Sequence, residues 1–194
     1  MNMKELVLKN RTYRKFDQSV KISMSELEEL VELARISSCG HNRNGLRYIL
    51  VTDEERCKVI CENLKWAFFL PDWPGPEEGE RPVAYIVCLR DESAYKGNAM
   101  WMWDLGIALE NMTLGAVEKG YGGCQFASLN YQYLEEYLDI EKPFKLASVL
   151  TLGKPAQEVQ LVDLVNGQTP YYQDEAGVHY VPKLKPAEIV YKKL

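Results

Sequence analysis

The chain has 194 residues, 46% of them hydrophobic and 26% charged, with a formal net charge of −5. Such a chain is ordinary for one globular domain with a sizeable core, and its acidic balance argues against nonspecific binding to nucleic acid or to a membrane surface. The five cysteines are an odd number with no CxxC pair, which points to reduced thiols in a cytoplasmic protein rather than to a disulfide framework or a zinc site.

Residues 3–9 read as a short helix and 11–22 as irregular. Over residues 1–21 the charge runs against the rest of the chain: Lys4, Lys9, Arg11, Arg14, Lys15 and Lys21 face only Glu5 and Asp17. Such a cluster is either a local anion site or a solvated basic face. Ser23 with Glu26 three residues on predicts a capped helix over Met24–Ile36, with Leu27, Leu30, Val31 and Ala34 at helical spacing. The polar stretch 37–45 is a loop, Arg47–Thr52 a strand, and Asp53 caps a helix running to about Leu64.

Segment 65–82 is rich in aromatics and proline and lacks a period. A long loop of this kind is often functional, although Trp66, Phe68 and Trp73 could simply anchor it to the core. Val83–Leu89 is a continuous apolar run of strand length, expected at the centre of a sheet. Asn98–Lys119 reads as a long helix that is apolar on nearly every side, and so must be covered all round, by its own domain or by a second subunit. Asp104 and Glu110 interrupt its apolar run, so it is not expected to span a membrane. The glycines at 120–123 end it, and a short strand begins at Cys124. Residues 130–138 form a helix, and Phe144–Leu152 a strand stopping at Gly153. Val159–Val165 is a candidate edge strand in an otherwise extended tail. The N-terminus shows no apolar signal core.

Several chemistries find no support. The only histidines are His41 and His179, and there is no HExxH, GxSxG or Walker A sequence. Gly120, Gly122 and Gly123 do not complete GxGxxG, and they follow a helix where a dinucleotide turn follows a strand. If the chain is an enzyme, a cofactor is expected to carry the chemistry.

Four segments, in order and spacing, resemble the nitroreductase family of FMN enzymes. Arg11–Phe16 (RTYRKF) resembles the family's RRSxRxF, and Ser37–Tyr48 (SSCGHNRNGLRY) its SPSxxNxQPWxF loop. Asp104–Gln125 (DLGIALENMTLGAVEKGYGGCQ) resembles its long helix and glycine turn, and Ala147–Pro155 (ASVLTLGKP) its strand ending in GxP. The resemblance implies an α+β fold in a single domain, residues 1–194: a mostly antiparallel central sheet flanked by helices, with an extended C-terminal tail. It implies an FMN site in which Arg11, Thr12 and Arg14 meet the phosphate and ribityl chain, and Asn42 and Asn44 the flavin edge. Gly122 and Gly123 then pass close to the flavin, where glycine permits close approach and unusual φ. Lys183 and Lys185, or alternatively Lys154, close on the phosphate. The resemblance also implies a homodimer packed along the long helix. The implied reaction is ping-pong transfer of electrons from NADH or NADPH to a small organic acceptor such as a nitroaromatic or quinone, with the aromatic loop as a candidate wall of the acceptor slot. Other flavin reactions on the same fold (dehydrogenation, reductive group removal), or flavin binding and redox sensing without turnover, stand as alternatives.

Overall fold

The computed structural model describes residues 1–194. Its main sheet is antiparallel throughout. The strands are β1 (Phe16–Asp17), β2 (Leu46–Val51), β3 (Ala84–Asp91), β4 (Gly122–Phe126) and β5 (Phe144–Pro155). They run in the order β1-β5-β3-β2, with β4 paired to β5 as well.

The apolar run expected at the sheet centre is β3, which pairs with β2 on one side and β5 on the other. Side chains alternate along a strand, and both faces of this one are covered. Ala84, Ile86 and Cys88 belong to a core with Leu27 and Leu30 of helix α2 (Met24–Ile36) and with Leu105, Leu109, Met112 and Ala116 of α5 (Trp101–Glu118). Tyr85, Val87 and Leu89 belong to a second core, with Cys57, Ile60 and Cys61 of α3 (Glu54–Glu62) and Leu134 of α6 (Tyr131–Tyr137). The remaining helices are α1 (Met3–Lys9), α4 (Glu92–Tyr95) and α7 (Pro186–Ile189).

The capping predictions hold in detail. Ser23 accepts from the Glu26 N–H while Glu26 accepts from the Ser23 N–H, and Asp53 accepts from the Arg56 N–H. Three expectations are corrected. The long helix begins at Trp101, because the Asn98 side chain accepts from the Met100 N–H and holds 98–100 in a turn. Strand β5 does not stop at Gly153: Lys154 and Pro155 pair with Asp17 and Phe16. The tail strand β6 (Val159–Asp163) joins no edge of the main sheet. It pairs in parallel with β8 (His179–Lys183), which pairs antiparallel with β7 (Tyr172–Gln173), so the tail makes a small sheet of its own.

The aromatic segment 65–82 has no regular element. Trp66 anchors it, edge-on to Phe126 at 4.6 Å and to Trp73 at 6.1 Å. Phe68 does not anchor it, being 87% exposed. Of α5, one side is buried as its stripe requires, but Met102, Trp103 and Ile107 remain exposed, Trp103 to 75%. No helix is long and apolar enough to cross a membrane.

Candidate functional site

The basic N-terminal segment is pinned between α5 and β4. Asn10 closes α1 and its side-chain amide donates to Glu110 Oε1 and Thr113 Oγ1, both at 3.0 Å. Two residues on, Thr12 bridges Gly123 in parallel, and the Tyr13 N–H donates to the Gly123 carbonyl at 3.0 Å. A cleft of about 390 Å³ opens there, lined by Asn10, Arg11, Thr12, Glu110, Thr113, Gly123, Gln125, Val181 and Lys183. Arg11, Thr12, Gly123 and Lys183, anticipated far apart in sequence, thus share one cavity.

Its electrostatics favour an anion. Arg11 gives Nη2 to the Val7 carbonyl at 2.6 Å, its Nε is buried without a partner, and no carboxylate pairs with it. Lys183 also stands outside the salt bridges of the chain. The one acidic wall residue, Glu110, accepts from the neutral Asn10 amide, so two cationic side chains share the walls with one carboxylate. Two cations in excess of that carboxylate, with a hydroxyl, around a partly enclosed space form a donor set suited to phosphate.

The competing lysines lie elsewhere. Lys185 pairs with Asp163 at 3.5 Å on the surface, and Lys154 donates to the Gly120 carbonyl at 3.3 Å. Neither lines the cleft. Arg14 does not line it either; it is buried against the tail, with Tyr171 and His179.

The glycine expectation needs refinement. The positive φ falls on Gly120 (+82°), whereas Gly122 and Gly123 lie within β4. Close approach is nonetheless required there. A Cβ at Gly123 would stand 2.5 Å from the Thr151 carbonyl oxygen, and one at Gly122 would stand 2.4 Å from the Tyr13 ring. Within this chain, what approaches these glycines is protein.

Asn42 and Asn44 are in the second half of the picture. The loop 37–45 contains a short 3-10 turn, Gly40–Asn42, and holds His41, Asn42 and Asn44 at φ of 53°, 51° and 51°. Asparagine tolerates this left-handed region better than most residues, and such local strain clusters at binding sites. The Asn44 amide donates to the Asn42 carbonyl at 2.7 Å. Asp104, 4% exposed, fastens the loop: it accepts from the Gly40 N–H at 2.7 Å and from the Tyr95 hydroxyl at 2.9 Å. Sequence reasoning missed this anchor, although an acidic residue inside an apolar helix was the signal for it. A second cavity, about 360 Å³ and mostly apolar, lies under the loop, lined in part by Tyr48, Leu50, Tyr95 and Asn44.

The two cavities have no lining residue in common. The loop is tied to α5 at Asp104, and at Asn111 through Ser37, while Asn10 ties the Arg11 segment to the same helix at Glu110 and Thr113.

With the antiparallel sheet and the flanking helices in place, the chain is an α+β protein in which a cleft carrying Arg11, Thr12 and Lys183 opens beside a long central helix. It belongs to the nitroreductase family, whose model matches residues 7–154. No curated protein matches it. Among solved structures it resembles a nitroreductase family protein from Clostridium difficile 630 (19% identity, TM-score 0.70, all of both chains covered). It also resembles an FMN-dependent nitroreductase from Clostridium difficile R20291 (18% identity, TM-score 0.66, 99% of this chain and 97% of that one). A third is a protein from Desulfovibrio desulfuricans whose structure is a complex with FMN (16% identity, TM-score 0.72, 100% and 98%). At these identities the likeness is one of fold.

Proposed function

We propose that this chain is an FMN-dependent oxidoreductase that carries electrons from NADH or NADPH to a small organic acceptor such as a nitroaromatic or quinone. The observation that carries the reading is the convergence of Arg11, Thr12 and Lys183 in one cleft, with the buried Arg11 Nε lacking any partner. That donor set fits the phosphate of FMN, and two of the fold relatives described above are an FMN-dependent enzyme and an FMN complex. When bound, FMN would supply the redox chemistry, accepting hydride from the nicotinamide and passing electrons on. The chain's own part is to hold and orient the cofactor: Arg11 and Lys183 at the phosphate, Thr12 and the β4 backbone beside it, Asn42 and Asn44 at the flavin edge.

The division of the site into two cavities with no lining residue in common supports a homodimer. A two-fold contact through α5 would bring the loop of one protomer toward the cleft of its partner. The exposed Met102 and Trp103 lie at the start of α5 and Ile107 one turn further on, and together they offer the apolar patch that such a contact needs.

The test is a visible spectrum of the purified protein followed by anaerobic titration with NADH and NADPH. A flavin spectrum that bleaches on titration supports the reading. A flavin that stays oxidised moves the function to a flavin reaction with another donor, or to flavin binding alone. Absence of flavin even after FMN is added refutes the cofactor site.

A further inference from the structure

Arg14 is only 9% exposed and forms no salt bridge, an uncomfortable state for a guanidinium. Its side-chain hydrogen-bond and ring contacts come from the C-terminal tail. The Tyr171 ring lies 4.6 Å from Arg14 Cζ, and His179 Nε2 lies 3.3 Å from Nη1. Gln157, also in the tail, accepts from the Arg14 backbone N–H at 3.2 Å. Tyr171 and His179 pack on each other with ring centres 5.0 Å apart. A guanidinium can only donate, so Nε2 must accept and the imidazole proton sits on Nδ1. That Nδ1 is buried without a partner. The imidazole stays neutral because burial, with Arg14 beside it, holds its pKa down at about 4.

His179 opens strand β8, and Val181 and Lys183 follow at alternate positions. Alternate residues of a strand share a face. The face that meets Arg14 through His179 is therefore the face that lines the Arg11 cleft through Val181 and Lys183.

We infer that Tyr171 and His179 are positioning residues: they clamp Arg14 to the tail and thereby fix the placement of β8 that carries Lys183 to the anion cleft, so that docking of the tail and binding of the phosphate form one coupled equilibrium. The inference rests on the phosphate-site reading above and adds to it a role for residues 157–183.

The test uses the full chain, FMN as the probe and flavin fluorescence as the readout, with hydrogen exchange of residues 171–183 followed in parallel. Tyr171→Leu should weaken FMN binding by about three- to thirty-fold, the span of cation–π contacts. Tyr171→Phe, which keeps the ring, should stay within about twofold of wild type. In an Arg14→Met background Tyr171→Leu should cost nothing further, because coupled residues are not additive. FMN should slow exchange across Val181–Lys183. If Tyr171→Leu fails to fold, His179→Leu against His179→Gln (which keeps an acceptor) makes the same comparison. Wild-type affinity in the leucine variants, the same loss with and without Arg14, or exchange indifferent to FMN would each overturn the clamp while leaving the cofactor reading standing. A wild-type protein that binds no FMN overturns the cofactor reading and the clamp with it.

Discussion

Replacing Asp104 by alanine should release the loop that carries Asn42 and Asn44. The carboxylate is buried and accepts two hydrogen bonds, from the Gly40 N–H at 2.7 Å and the Tyr95 hydroxyl at 2.9 Å. Hydrogen bonds to a charged group contribute about 1.5–3 kcal/mol each, and the alanine leaves both donors without their partner. The expected loss is about 3–5 kcal/mol once some water reaches the vacated space. For a chain of this length that lowers the melting temperature by roughly 6–20 °C. Asp104→Asn should cost far less, about 1 kcal/mol, because the amide oxygen still accepts from Gly40 and the Tyr95 hydroxyl can turn to accept from the amide nitrogen. Calorimetric or circular-dichroism melts of the three proteins give the ranking, and FMN titration of each shows whether the loop matters to the cofactor. An alanine variant melting within 2 °C of wild type would refute the anchor, since on the scale used here that is less than about 1 kcal/mol.

Four further outcomes are expected. Arg11→Ala should lower FMN affinity by about 10–150-fold, the equivalent of one charged hydrogen bond, with little change in melting temperature; fluorescence titration with a melt as control reads both. Trp103→Glu, on the exposed face of α5, should shift the protein to monomer in sedimentation and weaken FMN binding together, whereas an unshifted oligomer would remove this face from the interface. Gly123→Ala should destabilise the sheet more than Gly106→Ala, because a Cβ at Gly123 meets the Thr151 carbonyl at 2.5 Å while one at Gly106 meets nothing within 4 Å; chemical denaturation compares them. His179 has a folded pKa of about 4, below its ordinary value near 6.5. In that window the unfolded chain binds the extra proton, so stability should fall as pH drops from about 6.5 toward 4, and His179→Gln should flatten that part of the profile in pH-dependent melts.

What was legible in the sequence was what neighbours in the chain decide. The Ser23–Glu26 capping box, the Asp53 cap and the two-sided burial of Val83–Leu89 are local signals, and the helices and central strand follow from them. Pairings between distant segments leave no such trace. Nothing in Val159–Asp163 announces a parallel partner at His179–Lys183, and nothing in Phe16–Asp17 announces that it will extend the pairing of β5. The same limit governs the site. Lys154, Lys183 and Lys185 are equivalent as charges, and only the register of β8 turns Lys183 into the cleft, while Lys185, just past the strand, is left beside Asp163.

Arg14 shows how this limit reaches function. Its motif suggested a residue turned to the cofactor, yet its side chain is committed to Tyr171 and His179, residues more than 150 positions away in a segment with no core period of its own. A tail whose one buried residue is His179 gains its order from what it touches, and it touches the cationic segment at Arg14 and the cleft at Lys183. The loop half-site depends on α5 at Asp104 and Asn111. Cofactor affinity should therefore report on three structures at once: the N-terminal segment, the tail that clamps it, and the loop that a second copy would bring. A variant that weakens FMN without altering the Arg11 cleft is a sign that one of the other two has moved, and exchange of the tail amides tells which.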